Sequence, residues 1–297
     1  MRRLLASVLI ALAGPAFSQT PLAVPESESF ALDGPSGTYE ITVTRPPGYD
    51  ASSPDRYPAL YYLDAWWLRD LVTGTARVAA LSGAEVEPVV LVGIGFEGDL
   101  EGWRRQRALD LTPGFYQSPF IGFDDVPVSG LRLDSTNTGG LDGFLAFLES
   151  EVFPRVEADY AIDPARRGVL GHSLGGLFGA WVLSHRPELF DRYLLISPAT
   201  WWRQGEAIEP GFSAAGALDR RVVVAVGASE GFIMVGTKRA LTEALLADTV
   251  AVTEREYPDR THASVLGPAI WDGLAALYGP QDPGALRSPA RGRRSRD

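Results

Sequence analysis

Five stretches of this chain carry continuous apolar runs: "YPALYYLDA" (57–65), "PVVLVGIG" (88–95), "RRGVLGHS" (166–173), "RYLLISPA" (192–199) and "RVVVAVGAS" (221–229). A strand that faces solvent on one side alternates apolar with polar, so an unbroken run of five or six residues belongs to a strand covered on both faces. Helical candidates lie between and around these runs: "WWLRDLVTGTARVAALSG", "GGLDGFLAFLESEVFPRVEADY", "SLGGLFGAWVLSHRP", "GTKRALTEALLAD" and "HASVLGPAIWDGLAALYG". In the second, Leu141, Phe144, Leu145, Leu148 and Val152 recur at helical spacing. Alternation of this kind predicts an α/β fold, a mostly parallel central sheet with helices on both faces. One strand breaks the rule: "GTYEITVTRPPGY" has period two and ends in Pro-Pro-Gly, and it is expected to join the sheet antiparallel.

No compositional break divides the 297 residues, so a single domain over 19–279 is expected. Residues 1–18 have Arg2 and Arg3, an apolar run from Leu4 to Ala13, and small residues at Ala16 and Ser18. That layout predicts a cleavable signal peptide and a periplasmic or secreted product of a bacterial cell. The chain has no cysteine, which excludes a thiol nucleophile, a disulfide framework and a thiolate metal site. Its net charge of −10 would deepen by two with loss of Arg2 and Arg3, and such a chain is unsuited to nucleic acid or an anionic membrane surface. The tail from 280 to 297 is rich in Pro, Gly and Arg without periodicity and is expected to be disordered. Residues 110–138 lack periodicity, and a connection of that length is expected to cover a binding site.

The junction of "RRGVLG" and "LGGLFGAWVL" holds Ser173 in Gly-His-Ser-Leu-Gly, with a strand before it and a helix after it. In that context the serine sits in a strained turn above the sheet, with the first free amides of the helix, Leu174 foremost, aimed at an oxyanion. Gly171 and Gly175 are expected to permit close approach of strand and helix. A serine needs a base to become nucleophilic, and three histidines are available: His172, His185 and His262. His172 adjoins the serine and His185 lies at the far end of the helix, which leaves His262, between a strand and the last helix, as general base. The acid is sought after "RVVVAVGAS", where Glu230 follows; Asp259 is the substitute, and a dyad without an acid is the remaining option. The second oxyanion amide is sought after "YPALYYL", at Ala65 or Trp66, with Asp64 bracing that loop.

With those residues in view, the chain resembles the Putative esterase (esterase D-like) family of α/β-hydrolases, in its enterochelin and siderophore esterase-like branch. The resemblance rests on "YPALYYLDAWW", "VVLVGIGF", "RRQRALDLTP", "GGLDGFLAFLESEVFPRVEADYAIDPARRGVLGHSLGGLFGAWVL" and "LFDRYLLISPATWW". It implies the α/β-hydrolase fold and a serine hydrolase that cleaves carboxylic esters through an acyl-enzyme, siderophore-type esters among them, with no metal or organic cofactor and a small-molecule ester as its partner. Acyl transfer to an alcohol or sugar, or a non-catalytic binding role on the same fold, are the competing expectations. The family strand-end loop reads Leu-Asp-Gly where this chain has Ala65. Arg107, in "RALDLTP", resembles a family arginine near the site, expected either to hold a substrate carboxylate, to anchor the long loop or to pair with Asp110. Trp66, Trp67, Trp103, Trp201 and Trp202 fall in segments that should rim the strand ends, where Trp66, Trp201 and Trp202 are the candidates for substrate contact and packing is the alternative for each.

Overall fold

The computed structural model describes residues 24–81, 85–115 and 133–280. The signal-like segment, most of the long connection and the arginine-rich tail lie outside them. Eight strands form one sheet in the order β1-β2-β4-β3-β5-β6-β7-β8. They are β1 (Ser27–Gly34), β2 (Gly37–Thr44), β3 (Tyr57–Tyr62), β4 (Val90–Ile94), β5 (Ile162–His172), β6 (Arg192–Ile196), β7 (Arg221–Gly227) and β8 (Ala251–Tyr257). The pairs from β4 through β3, β5, β6 and β7 to β8 are parallel, and β1 and β2 run antiparallel at one edge. The five apolar runs are the five central strands, as their patterning requires.

Successive side chains of a strand face opposite ways, and the two cores follow from that rule. Ala59, Tyr61, Val222 and Val224 pack into one core with α3 (Leu141–Phe147), α4 (Phe153–Asp159), α5 (Leu174–His185) and α7 (Phe232–Ala247). Leu60, Tyr62, Val223 and Ala225 pack into the other with α1 (Ala65–Leu81) and α8 (Leu266–Tyr278). The remaining helices are α2 (Leu100–Asp110) and the short α6 (Ser213–Ala217). No helix among the described residues is long and apolar enough to cross a membrane.

Among the departures from the sequence expectation, which include the edge strand β1 and the short α6, two bear on the helices around the site. The single helix expected over 139–160 is α3 and α4 joined by a π-helical turn at Leu148–Val152, with Pro154 in the first turn of α4. Proline has no amide hydrogen to donate to the preceding turn, and a wider turn accommodates that loss. The other is α2, which the apolar pattern does not announce. It buries Trp103, Gln106, Ala108 and Asp110, and two of the four are polar, on the i, i+3, i+7 face that Trp103 heads.

Asp110 explains part of that oddity. It is buried, and one carboxylate oxygen accepts hydrogen bonds from Tyr39 Oη (2.6 Å) and Ser36 Oγ (2.8 Å), tying α2 to the start of β2. Burial raises its pKa to about 6, against the lowering effect of those two hydroxyls. A carboxyl whose pKa is raised in the folded state stabilises the fold below its unfolded value of 3.8, and loses that contribution as the pH rises through about 6. The stability of the wild type relative to Asp110→Asn is therefore expected to rise by about 1–3 kcal/mol between pH 7 and pH 4. Urea titrations of both proteins at the two pH values check this; a difference independent of pH would refute it.

Candidate active site

Because the central strands are parallel, their carboxyl ends share one edge of the sheet, and loops that leave those ends converge there. Asp64 follows β3, Ser173 follows β5, Ser197 follows β6, Glu230 follows β7, and His262 follows β8. Five short loops, far apart in the chain, thus supply one site.

Ser173 has φ +59° and ψ −113°, a conformation costly for a residue with a Cβ. The surroundings impose it. Its amide donates to Ile196 O (3.0 Å), and its carbonyl accepts from Leu177 N (2.9 Å) and Ala199 N (3.0 Å). The Leu177 bond is the first of α5, so the amides of Leu174, Gly175 and Gly176 fall ahead of the helical ladder. A Cβ on Gly171 would lie 2.0 Å from Gly175 O, so only glycine fits there. The second close approach is not at Gly175, where a Cβ would meet nothing nearer than 3.6 Å. It is at Gly176, 2.7 Å from Pro198 Cα, because α5 packs against the turn after β6 as well as against β5.

His262 Nδ1 donates to Glu230 Oε2 at 2.6 Å. The Glu230 side chain is 1% exposed and that of His262 is 35% exposed. The other oxygen, Oε1, accepts from Gly227 N and from Ser197 Oγ, both at 2.6 Å. Three donors thus converge on this carboxylate, and with Nδ1 donating to it, Nε2 is the ring nitrogen left to accept a proton. Asp259 is exposed and occupies a left-handed turn at φ +57°, a position that aspartate tolerates. The structure brings Glu230 to His262 and leaves Asp259 in the turn. Ser197 escaped the sequence reading; its position at the end of β6, in "LLISPATWW", is the signal that marks it.

His172 is buried, and its Nε2 donates to His262 O at 2.9 Å, with the two rings 4.4 Å apart. Burial, the neighbouring His262 and Arg107 hold its pKa well below the usual histidine range, so the ring is a neutral donor. It ties the loop that carries His262 to the end of β5. His185 stacks on Trp181 at the far end of α5, away from this edge.

Asp64 closes β3 at φ +58°, and its carbonyl accepts from Trp67 N (3.1 Å) and Leu68 N (3.0 Å). The amides of Ala65 and Trp66 therefore precede the first bonds of α1, as Leu174 precedes those of α5. Arg107 Nε donates to Asp64 Oδ1 at 2.7 Å and Nη2 donates to His172 O at 3.1 Å. The expected pairing of Arg107 with Asp110 does not occur: Asp110 is turned toward β2, and Asp64 neutralises the guanidinium.

The tryptophans divide. Trp66 and Trp67 are 37% and 36% exposed, and both rings lean on the buried Trp103 at centroid separations of 5.6 and 5.9 Å. Trp201 is half-buried, its Nε1 directed to Met234 Sδ at 3.1 Å. Trp202, a candidate for substrate contact, is fully buried and donates from Nε1 to Gly114 O. It has no face to offer a ligand, because its ring packs in the core beside α5.

The sequence profile of the Putative esterase family matches residues 35–263. The chain is 34% identical over 169 residues to the ferri-bacillibactin esterase BesA of Bacillus subtilis, a match covering 56% of this chain and 55% of the relative. It is 34% identical over 189 residues to a siderophore triacetylfusarinine C esterase of Aspergillus fumigatus, covering 62% and 59%. The chain thus spans less than two thirds of the length of either relative. Among solved structures, the BES protein from Bacillus cereus superposes with a TM-score of 0.74 at 24% identity, over 88% of this chain and 99% of the other. The siderophore hydrolase EstA from Aspergillus nidulans superposes with a TM-score of 0.68 at 24% identity, over 87% and 97%. The shared fold is that of the α/β-hydrolases.

Proposed function

Because the chain belongs to the Putative esterase family, we propose that it hydrolyses carboxylic esters through an acyl-enzyme formed on Ser173. The observation that carries this reading is the 2.6 Å bond from His262 Nδ1 to a buried, three-fold-bonded Glu230, on the sheet edge where Ser173 occupies its strained turn.

Ser173 Oγ attacks the ester carbonyl while its proton passes to His262 Nε2, and the oxyanion is received by the amides of Leu174 and of Ala65 or Trp66. Collapse of the tetrahedral intermediate breaks the carbon–oxygen bond of the alcohol, which takes the proton from His262. Water then repeats the sequence on the acyl-enzyme, releasing the acid and restoring the serine. Glu230 stabilises the imidazolium formed in each half and holds the ring in one orientation.

The relatives, a ferri-bacillibactin esterase and a siderophore triacetylfusarinine C esterase, support siderophore-type esters as the substrate class. The apolar rim suits a large cyclic or aryl ester: Trp66 and Trp67 present open surface, and Phe232, two residues beyond Glu230, is 85% exposed. The signal-like segment at 1–18 adds an extracytoplasmic location to the proposal.

Purified protein is expected to hydrolyse short p-nitrophenyl esters and to open a siderophore triester to its linear acid, and a fluorophosphonate probe should label Ser173. Turnover of the simple esters alone would remove the siderophore substrate and keep the esterase. Ester products in the presence of an acceptor alcohol would make it an acyltransferase. Neither turnover nor labelling would leave a binding protein.

A further inference from the structure

The two amides proposed to receive the oxyanion belong to different loops, and their spacing must be held by something. The last ladder bond between β3 and β5 is donated by Leu63 N to Leu170 O (3.0 Å). Beyond it the two chains part, one into α1 and the other into α5. Past that bond come Asp64 on one side, before Ala65 and Trp66, and Gly171 and His172 on the other, before Ser173 and Leu174.

Arg107 bridges that gap. Its Nε bonds Asp64 Oδ1 and its Nη2 bonds His172 O, with the arginine side chain 13% exposed and the aspartate 2%. The guanidinium is itself fixed from α2, where Trp103 offers its ring face 5.5 Å away. We infer that Arg107 is a positioning residue that sets the separation of the two oxyanion donors by clamping the residues that precede them. The inference rests on the proposed role of Ser173.

The chemistry favours arginine at this point. A planar fork offers two donors in fixed, divergent directions, so one side chain reaches a carboxylate on one loop and a carbonyl on the other. A lysine ammonium is a single centre that cannot hold both at the same separation. A clamp of this kind acts on the tetrahedral intermediate, where the oxyanion meets both amides, and leaves ground-state binding largely untouched. An arginine that instead held a substrate carboxylate would act on KM.

The test compares wild type, Arg107→Met and Arg107→Lys in steady-state hydrolysis of p-nitrophenyl butyrate, with and without added methylguanidine, and with melting curves for each. Arg107→Met is expected to lower kcat by about 10- to 10²-fold while KM changes by less than about threefold. Arg107→Lys should recover little of the loss, and methylguanidine should restore part of the activity of Arg107→Met. The affinity of a trifluoromethyl ketone, which forms the tetrahedral adduct, should fall in step with kcat/KM. Unchanged kcat in a folded variant overturns the inference, and so does a rise confined to KM. Should Arg107→Met not fold, Arg107→Lys keeps stem and charge and decides by the same criteria. Absence of Ser173-dependent turnover in the wild type would instead remove the esterase reading beneath it.

Discussion

Ser173→Ala is expected to reduce ester turnover by roughly 10⁴- to 10⁶-fold, with the fold intact. The hydroxyl is the atom that bonds to the acyl carbon, so its removal eliminates the covalent route and leaves only oxyanion stabilisation acting on attack by water. Stability should change little, because alanine inherits the same φ of +59° that serine endures. Ser173→Gly should be equally inactive and melt higher, since glycine occupies positive φ without a Cβ penalty, a gain of about 1 kcal/mol. Initial rates and melting temperatures of the three proteins separate the two effects. Equal turnover by wild type and Ser173→Ala would move the chemistry elsewhere.

Glu230→Gln is expected to lower kcat by roughly 10²- to 10⁴-fold with KM little changed. The amide keeps the volume of the carboxyl and an oxygen for Ser197 Oγ and Gly227 N, which lie 2.6 Å from Oε1. Its NH₂ group then faces His262 Nδ1. Two donors cannot share one bond, so Nδ1 becomes the acceptor and the ring proton moves to Nε2, the atom that must be bare to take the serine proton. The imidazolium also loses its counter-charge. Ser197→Ala, which removes one of three donors and keeps the carboxylate, should cost only about 10-fold. A pH–rate study of the series on one ester checks the order; a larger loss in Asp259→Asn than in Glu230→Gln would reassign the acid.

What could be read in advance, and what could not, divides along a physical line. Unbroken apolar runs announced β3 to β7 because burial on both faces leaves no room for polar positions. The Gly-His-Ser-Leu-Gly turn was visible because tight backbone approach excludes a Cβ, at Gly171 above all. The helix α2 is hidden because its buried face carries Gln106 and Asp110, and polar residues in the interior look like surface in a sequence. Trp202 is ambiguous for the converse reason: its apolar ring is at home either at a rim or in a core, and composition does not distinguish them.

The sequence by itself determined the class of fold and the strained serine at a strand–helix junction, since each is written in local periodicity or in residues whose backbone demands are unusual, and it pointed to His262 by elimination among three histidines. Tertiary structure alone decided which carboxylate meets His262, that Ser197 shares it, and that Arg107 grips Asp64 and not Asp110. Those partners lie 32, 33 and 43 residues apart, and strand order, not spacing along the chain, brings them within hydrogen-bond reach.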